Sequence, residues 1–271
     1  MVTLPDAVRT QALHAFSTLP SMPGTTLVEG EYCFAALHPL PFPQPIEPRP
    51  GLMVVDVDAA IAEAREIVRD HGREQLIWLT GPDHPWLAEA LAERGLRNED
   101  SPGFESVENA MALIEAPAGA GGENVAIAAV TSFDAYMAGI EVELTAFDDV
   151  PAEGRARLEN ELEERWAEYV VPANPYRRWN ALLAGRVVGT AGGVLGDAGI
   201  NLFGGGVLAE ARGHGVYRAL VRARWDAAVA HGTPALTVQA GRMSRPILER
   251  LGFAFIDVMP TYVDDVGAAA G

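Results

Sequence analysis

Between Val207 and Leu220 the chain reads VLAEARGHGVYRAL, where two arginines and two glycines stand at the change from an apolar run to helical spacing. A helix N-terminus leaves its first backbone N–H groups without partners and carries a partial positive charge. Glycines at 213 and 215 strip away side chains that would hold an anion off those groups. Arg212 and Arg218 add charge-assisted donors on either side, so the stretch offers a cradle for a pyrophosphate. His214 lies inside it, placed to touch phosphate or solvent. Two other phosphate loops do not fit. A Walker loop ends in Gly-Lys-Ser/Thr and the chain has no lysine; the GxGxxG fingerprint needs glycine where Arg218 stands.

Such a cradle has to be positioned by a strand reaching Leu208, a turn at 209–211 and a helix from about Gly213 to Ala230. That helix buries the stripe Val216, Leu220, Ala223, Ala227 and Ala230. Around it the pattern predicts strands at 125–130 and 235–240, helices at 132–147 and 153–170, and a hairpin over 177–195 turning at Ala184-Gly185. Leu158, Leu162 and Trp166 mark the second of those helices. A strand at 199–208, a helix at 244–252 and a strand pair at 253–258 and 260–265 complete the second half. Upstream, a helix at 57–72 (Ala60, Ile61, Ala64, Ile67, Val68 on one face), a strand at 75–81, a helix at 84–97 and extended chain at 104–115 are expected. The six prolines of 38–51 read as a surface excursion of polyproline character. The Gly/Ala-rich stretch 118–124 reads as a linker between a domain at 1–117 and one at 125–271. LIWLTG with LAERGL, and LTVQAG with LERLGF, form a faint internal repeat: a buried strand ending in glycine, then a helix stopped at glycine. The fold class is mixed α/β.

The run Arg212-Gly213-His214-Gly215-Val216 opening a long helix resembles motif A of the GCN5-related N-acetyltransferases, and Leu251-Gly252-Phe253 matches that family's closing helix at about its spacing. The likeness covers 125–264. It implies a mixed, mostly antiparallel central sheet flanked by helices, in two tandem copies, the first degenerate because it lacks a counterpart of the glycine motif. It implies acetyl-CoA as cosubstrate, its pyrophosphate held by residues 212–218, its pantetheine arm paired to the strand end at Val207 and Leu208, and an N–H there polarising the thioester carbonyl. Tyr217 replaces a small residue of the motif, as packing or as a wall of the cofactor groove. Leu248 stands where many members carry a tyrosine acid and Gly241 where many carry asparagine.

Glu141 and Glu143 on the helix at 132–147 are the candidate bases, or a solvated helix face. Tyr262, or water, is the candidate acid. Asn201 either orients an acceptor or is a satisfied core asparagine. From Val207 to Phe253 seven arginines stand against three carboxylates, whereas from Glu123 to Val171 twelve carboxylates stand against three arginines, so one segment faces an anion and the other suits a cationic amine. A net charge of −17 disfavours nucleic acid and anionic membranes as partners. The lone Cys33 and six scattered histidines give no metal-ligand spacing, so no metal is expected. No apolar run is long enough to span a bilayer and the start lacks a secretory pattern, which places the protein in the cytoplasm. The sum is an N-acyltransferase acting on a small amine, or alternatively a CoA-binding sensor or interaction module without turnover. The first half either covers the acceptor cleft or mediates homodimerisation.

Overall fold

The computed structural model describes residues 3–22, 24–38, 42–119, 121–146, 156 and 160–266. The first half runs α1 (Asp6–Leu13), α2 (Ala15–Thr18), β1 (Thr26–Glu29), β2 (Cys33–Leu37), β3 (Gln44–Pro48), α3 (Val57–Asp70), β4 (Gln75–Leu79), α4 (Leu87–Glu93) and β5 (Val107–Leu113). The second runs β6 (Val125–Ala129), α5 (Phe133–Ala146), α6 (Leu162–Tyr169), β7 (Tyr176–Leu183), β8 (Arg186–Gly196), β9 (Gly199–Val207), α7 (Val216–His231), β10 (Leu236–Ala240), α8 (Arg245–Arg250) and β11 (Ala254–Asp265).

Local chemistry accounts for most of these. Helix α3 buries Val57, Ala60, Ile61, Ala64 and Val68 at three- and four-residue spacing, and the chain turns away at Gly72 in the left-handed region. The β7–β8 hairpin turns at Ala184 (φ 49°) and Gly185 (φ 81°), the two positive φ values that a twist-matched two-residue turn demands. Helix α2 is only one turn long. Its first amides are held by the buried Glu47 carboxylate, which accepts from Phe16 N (3.0 Å), Ser17 N (2.9 Å) and the Ser17 hydroxyl (2.5 Å).

All eleven strands form one sheet in the order β1-β2-β3-β4-β11-β5-β10-β9-β8-β7-β6, and only the β3–β4 and β9–β10 pairs are parallel. The last strand of each half crosses into the other: β5 lies between β10 and β11, and β11 pairs with β4 and β5. The arrangement is that of two copies of one fold exchanging their final strands. A boundary at 118–124 divides the chain in sequence without dividing the sheet. One core packs α7 and α8 on β5 and β7–β10, a second packs α3 and α4 on β2–β4, and α1 bridges them through Ala12, Leu13, Leu79, Ala110 and Met259.

Three expectations are corrected. The proline-rich stretch is no excursion where it is described: Gln44–Pro48 is a buried sheet strand, with three register pairs on each side, because burial beneath α2 outweighs the strand-breaking tendency of Pro45 and Pro48. The terminal strand pair is one strand, β11, with a register shift between Phe255 and Asp257. The buried residues of α7 are Val216, Ala219, Leu220, Val221, Arg224, Trp225 and Ala228; Ala230 is exposed, because the helix also packs against β9. Leu158, predicted for the helix before β7, lies outside the described residues, and α6 begins at Leu162.

Candidate functional site: a forked strand pair ending at a helix N-terminus

Strands β9 and β10 pair only at Ile200–Leu236 and Asn201–Thr237, then part. β9 continues on β8 to Val207 and β10 continues on β5 to Ala240, leaving a fork whose inner edges carry unpaired backbone groups. Opposite the one β8 residue between Thr190 and Gly192, β9 carries two, Gly204 and Gly205, between Phe203 and Gly206. This bulge uses Gly204 at φ 52° and bends the strand as it leaves its neighbour. The run Phe203-Gly204-Gly205-Gly206 is the sequence signal for it, and the reading of 199–208 as a strand did not place the bulge.

The apex of the fork is a buried relay. Gln11 Nε2 donates to Thr237 Oγ1 (2.9 Å), which donates to Asn201 Oδ1 (2.8 Å). Asn201 is 1% exposed, so it ties the two strands together and is a satisfied core asparagine.

At the open end a 3-10 turn, Ala209–Ala211, leads from β9 into the N-terminus of α7. The first helical bond is Ala219 N to Gly215 O (3.0 Å), and the amides of Gly213, His214, Gly215, Val216 and Tyr217 donate to no acceptor among the described residues. Arg212, Gly213, His214 and Arg218 are exposed at this end, while Val207 is half-buried and Leu208 buried beneath it. Arg212 Nε reaches back to Val207 O (3.4 Å). Gly213 (φ 81°) has open space where a side chain would stand.

Gly215 (φ 77°) has a different job from the one its spacing suggested. A Cβ there would lie 2.6 Å from Gly122 N and 2.9 Å from Gly122 Cα, so its missing side chain makes room for the crossing linker, not for an anion. Gly121 meets Ala219, and a Cβ on Gly122 would run into the His214 carbonyl oxygen. Val125 N donates to Gly122 O (3.0 Å) and Ala118 N to Leu251 O (2.9 Å). The linker is a strap packed on the first turn of α7.

Tyr217 packs its ring 3.1 Å from where a Cβ on Gly205 would be, beside the bulge and near the buried Arg224. Burial pushes the Tyr217 phenol up, Arg224 pulling the other way. Arg224 is 1% exposed, donating from Nε to Leu220 O (3.1 Å) and from one terminal nitrogen to Gly192 O (3.3 Å). Burial lowers its pKa, with Tyr217 opposing. The sequence reading counted Arg224 in the basic balance of a segment facing an anion, but its burial keeps it from that role. Arg222, Arg242 and Arg245 are likewise engaged, with Asp226, with Asp100 and with Glu249, so much of the local arginine excess is directed away from the cradle.

On the opposite face of β9, α5 brings Glu143 over the bulge, its Oε1 3.0 Å from the Cβ position of Gly204. Its Oε2 is ion-paired with the guanidinium of Arg178, which is 5% exposed and sits over the Tyr136 ring at 5.7 Å. Burial works against charge on Arg178, but Glu143 together with Tyr176 and Tyr136 holds the pKa above that of free arginine. Burial pushes the neighbouring Tyr176 phenol up to about 12. Arg178 and its aromatic box were not visible in sequence, because nothing in RRWNALL tells which arginine points inward.

The other two catalytic candidates lie elsewhere. Glu141 is on the exposed side of α5, since two residues along a helix turn about 200° from Glu143. Tyr262 lies on β11 opposite Trp78, packed against the first-half core, because strand exchange carries it out of the second half. Leu248 is fully buried in the second-half core. Gly241 is glycine for a local reason: Glu105, leading into β5, puts Oε1 2.5 Å from its Cβ position and accepts from Arg242 N (2.7 Å). In the first half the junction from β3 to α3 carries Arg49, which donates to Gly30 O (3.0 Å), and Gly51 (φ 90°), but it enters the helix through the exposed apolar Met53, Val54 and Val55 followed by Asp56. Among the described residues no cluster of three or more His, Cys, Asp or Glu could hold a metal ion, and no helix is long and apolar enough to cross a membrane.

No family model matches the sequence, and no curated protein matches it. Solved structures do match in three dimensions. A GCN5-related N-acetyltransferase from Kribbella flavida aligns over 97% of this chain and 96% of its own, with 16% identity and a TM-score of 0.65. A tandem GNAT protein from the clavulanic acid biosynthesis pathway aligns over 98% and 89%, with 18% identity and a TM-score of 0.58. A GCN5-related N-acetyltransferase from Sphaerobacter thermophilus aligns over 97% of both chains, with 15% identity and a TM-score of 0.59. At these identities the likeness is one of fold, and it runs through both halves. The chain has the fold of the GCN5-related N-acetyltransferases in its tandem arrangement.

Proposed function

We propose that the chain is an N-acyltransferase that moves an acetyl or other short acyl group from acyl-CoA to the primary amine of a small acceptor. The observation that carries this reading is the fork of β9 and β10 ending at a helix N-terminus whose amides from Gly213 to Tyr217 meet no acceptor among the described residues. Gly213 to Tyr217 and Arg212 would hold the diphosphate, and the free edge of β9 beyond Asn201 would pair with the pantetheine arm. A backbone N–H of that edge would stabilise the oxyanion. Acyl-CoA supplies an activated carbonyl, so the chain needs no nucleophile of its own. The amine lone pair forms the C–N bond, the C–S bond breaks, the ammonium gives up a proton and the thiolate takes one from water. Glu143, with Oε1 turned to the bulge, is the carboxylate placed to accept the ammonium proton; Arg178 fixes it there.

The test is release of free CoA at saturating acetyl-CoA across amines, amino acids and aminoglycosides, with CoA affinity measured by calorimetry. Gly213→Asp places an anion at the unspent amides without a steric clash and is expected to weaken CoA binding about tenfold or more. Absence of CoA affinity in the parent chain overturns the proposal. One observation favours a second reading, a CoA-binding module without turnover: Leu248 is buried and Tyr262 is remote, so neither of the positions considered for an acid offers a phenol to the fork. CoA affinity with no release for any acceptor would select it.

A further inference from the structure

A guanidinium and a carboxylate from different elements favour two parallel N–H···O bonds when they meet at close range. Arg65 donates in this way from Nε (2.7 Å) and a terminal nitrogen (3.0 Å) to the two oxygens of Asp264, and Arg94 to those of Asp58 (2.5 and 3.1 Å). One-point contacts are otherwise found along single helices, as in Arg165 with Glu161, and at the surface, as in Arg242 with Asp100. Arg178 with Glu143 is neither. Arg178 is 5% exposed and pairs across elements, yet a single terminal nitrogen reaches the carboxylate, on Oε2. Its other terminal nitrogen donates to the Tyr176 hydroxyl (3.3 Å), and its Nε is buried with no acceptor among the described residues. The nitrogen that holds Glu143 also reaches Thr190 Oγ1 (3.5 Å), and the guanidinium stands 5.7 Å from the Tyr136 ring and 6.0 Å from that of Tyr176. Glu143 Oε1 accepts no hydrogen bond among the described residues and stands over Gly204.

Two glycines make this arrangement. A Cβ on Gly192 of β8 would stand 2.1 Å from the Tyr176 hydroxyl oxygen, so glycine there leaves the space in which that hydroxyl meets Arg178. Gly139 lies one helical turn before Glu143. A Cβ there would be 2.7 Å from Asn180 Oδ1 and 3.0 Å from Thr190 Oγ1, so glycine lets α5 lie close on β7 and β8 and brings Glu143 down to Arg178. We infer that Tyr176 is a positioning residue of the acceptor site: by holding the second nitrogen of Arg178 it keeps the ion pair at one point and leaves Glu143 Oε1 open to the substrate ammonium. This rests on the acyl-transfer reading of the fork, and Tyr176 acts only through Arg178. Without the hydroxyl the buried guanidinium has two donors unpaired, and it gains most by turning both terminal nitrogens onto the carboxylate, which covers Oε1.

The experiment compares the full chain with Tyr176→Phe by crystallography, by CoA calorimetry and by kcat/KM for n-butylamine and glycinamide with acetyl-CoA. The expected result is a one-point Arg178–Glu143 contact in the parent, a two-point contact in the variant, unchanged CoA affinity and a loss of about tenfold in kcat/KM. Adding Arg178→Lys to Tyr176→Phe should recover about threefold or more, because an ammonium makes a one-point contact; a role in packing alone predicts a further loss. Gly192→Ala, which displaces the hydroxyl and keeps the ring, should reproduce the loss and takes the place of Tyr176→Phe if that variant does not fold. A two-point contact in the parent, a one-point contact in the variant, or an unchanged kcat/KM overturns the assignment even if CoA is released. Release from neither amine nor any other acceptor overturns the acyl-transfer reading instead, and the two crystal contacts then judge the tether by themselves.

Discussion

Glu108 shows how one side chain reports its surroundings. It lies on β5, 8% exposed, its Oε1 accepting from Glu105 N at 3.0 Å. Burial pushes its carboxyl up to about 7; the Glu105 amide pulls it back, and the charges of Glu105 and Asp100 push the same way as burial. The folded pKa is above the unfolded one, so its full contribution to stability is present below about pH 4.5 and is lost as pH rises through about 7. Ionising it in the fold costs on the order of 3 kcal/mol more than in the unfolded chain. Glu108→Gln keeps the acceptor and removes the charge; by thermal denaturation it should melt above the parent at pH 8.5, and the gap should close by pH 5. At this scale the sequence marked Arg212, Gly213 and Arg218, and the structure leaves all three exposed at the N-terminal end of α7. It could not separate Glu141 from Glu143, a matter of which side of α5 faces the sheet. Nor could it see that Arg178 and Arg224 turn inward.

Among the elements, α7 and the strap that crosses it carry the most consequence. Glycines in 116–124 read as flexibility, but in the fold Gly121, Gly122 and Gly215 permit two backbones to touch. Composition does not distinguish those uses, because glycine serves both. Gly122→Ala puts a methyl group into the His214 carbonyl and must lift the strap or tilt the first turn of α7. The expected result is a loss of about 1–3 kcal/mol in chemical denaturation, with CoA affinity falling by about tenfold. A strap that merely tethered would show neither effect. Helix positions were legible from spacing, as in α3, and so was the hairpin at Ala184-Gly185 from its turn chemistry. Strand β3 was not, since its prolines argue locally for exposure and only the packing of α2 on the sheet overrules them.

For the whole molecule the decisive feature is the exchange of β5 and β11. Each half has its own core, yet the sheet position beside β10 is filled by the first half and that beside β4 by the second. A fragment of residues 118–271 would expose the inner edge of β10 and leave β11 without either partner. Expressed alone it should aggregate or lack a cooperative melt; expressed together with residues 1–117 it should purify as a complex that melts in one transition. A soluble, cooperatively folded fragment would show that the exchange is dispensable.

The sequence by itself determined the class of fold, most of the helices and strands after residue 57, and a helix start rich in glycine and arginine, because these rest on side-chain periodicity and local residue types, all written within about twenty residues of one another. The faint repeat of strand, glycine and helix even marked the two copies. The tertiary structure alone decided which copy lends which strand, which glutamate faces β9, where Tyr262 lies and how Arg178 meets Glu143. Those outcomes depend on contacts between residues far apart in the chain, such as Gln11 with Thr237 and Tyr262 with Trp78, and no local pattern encodes them.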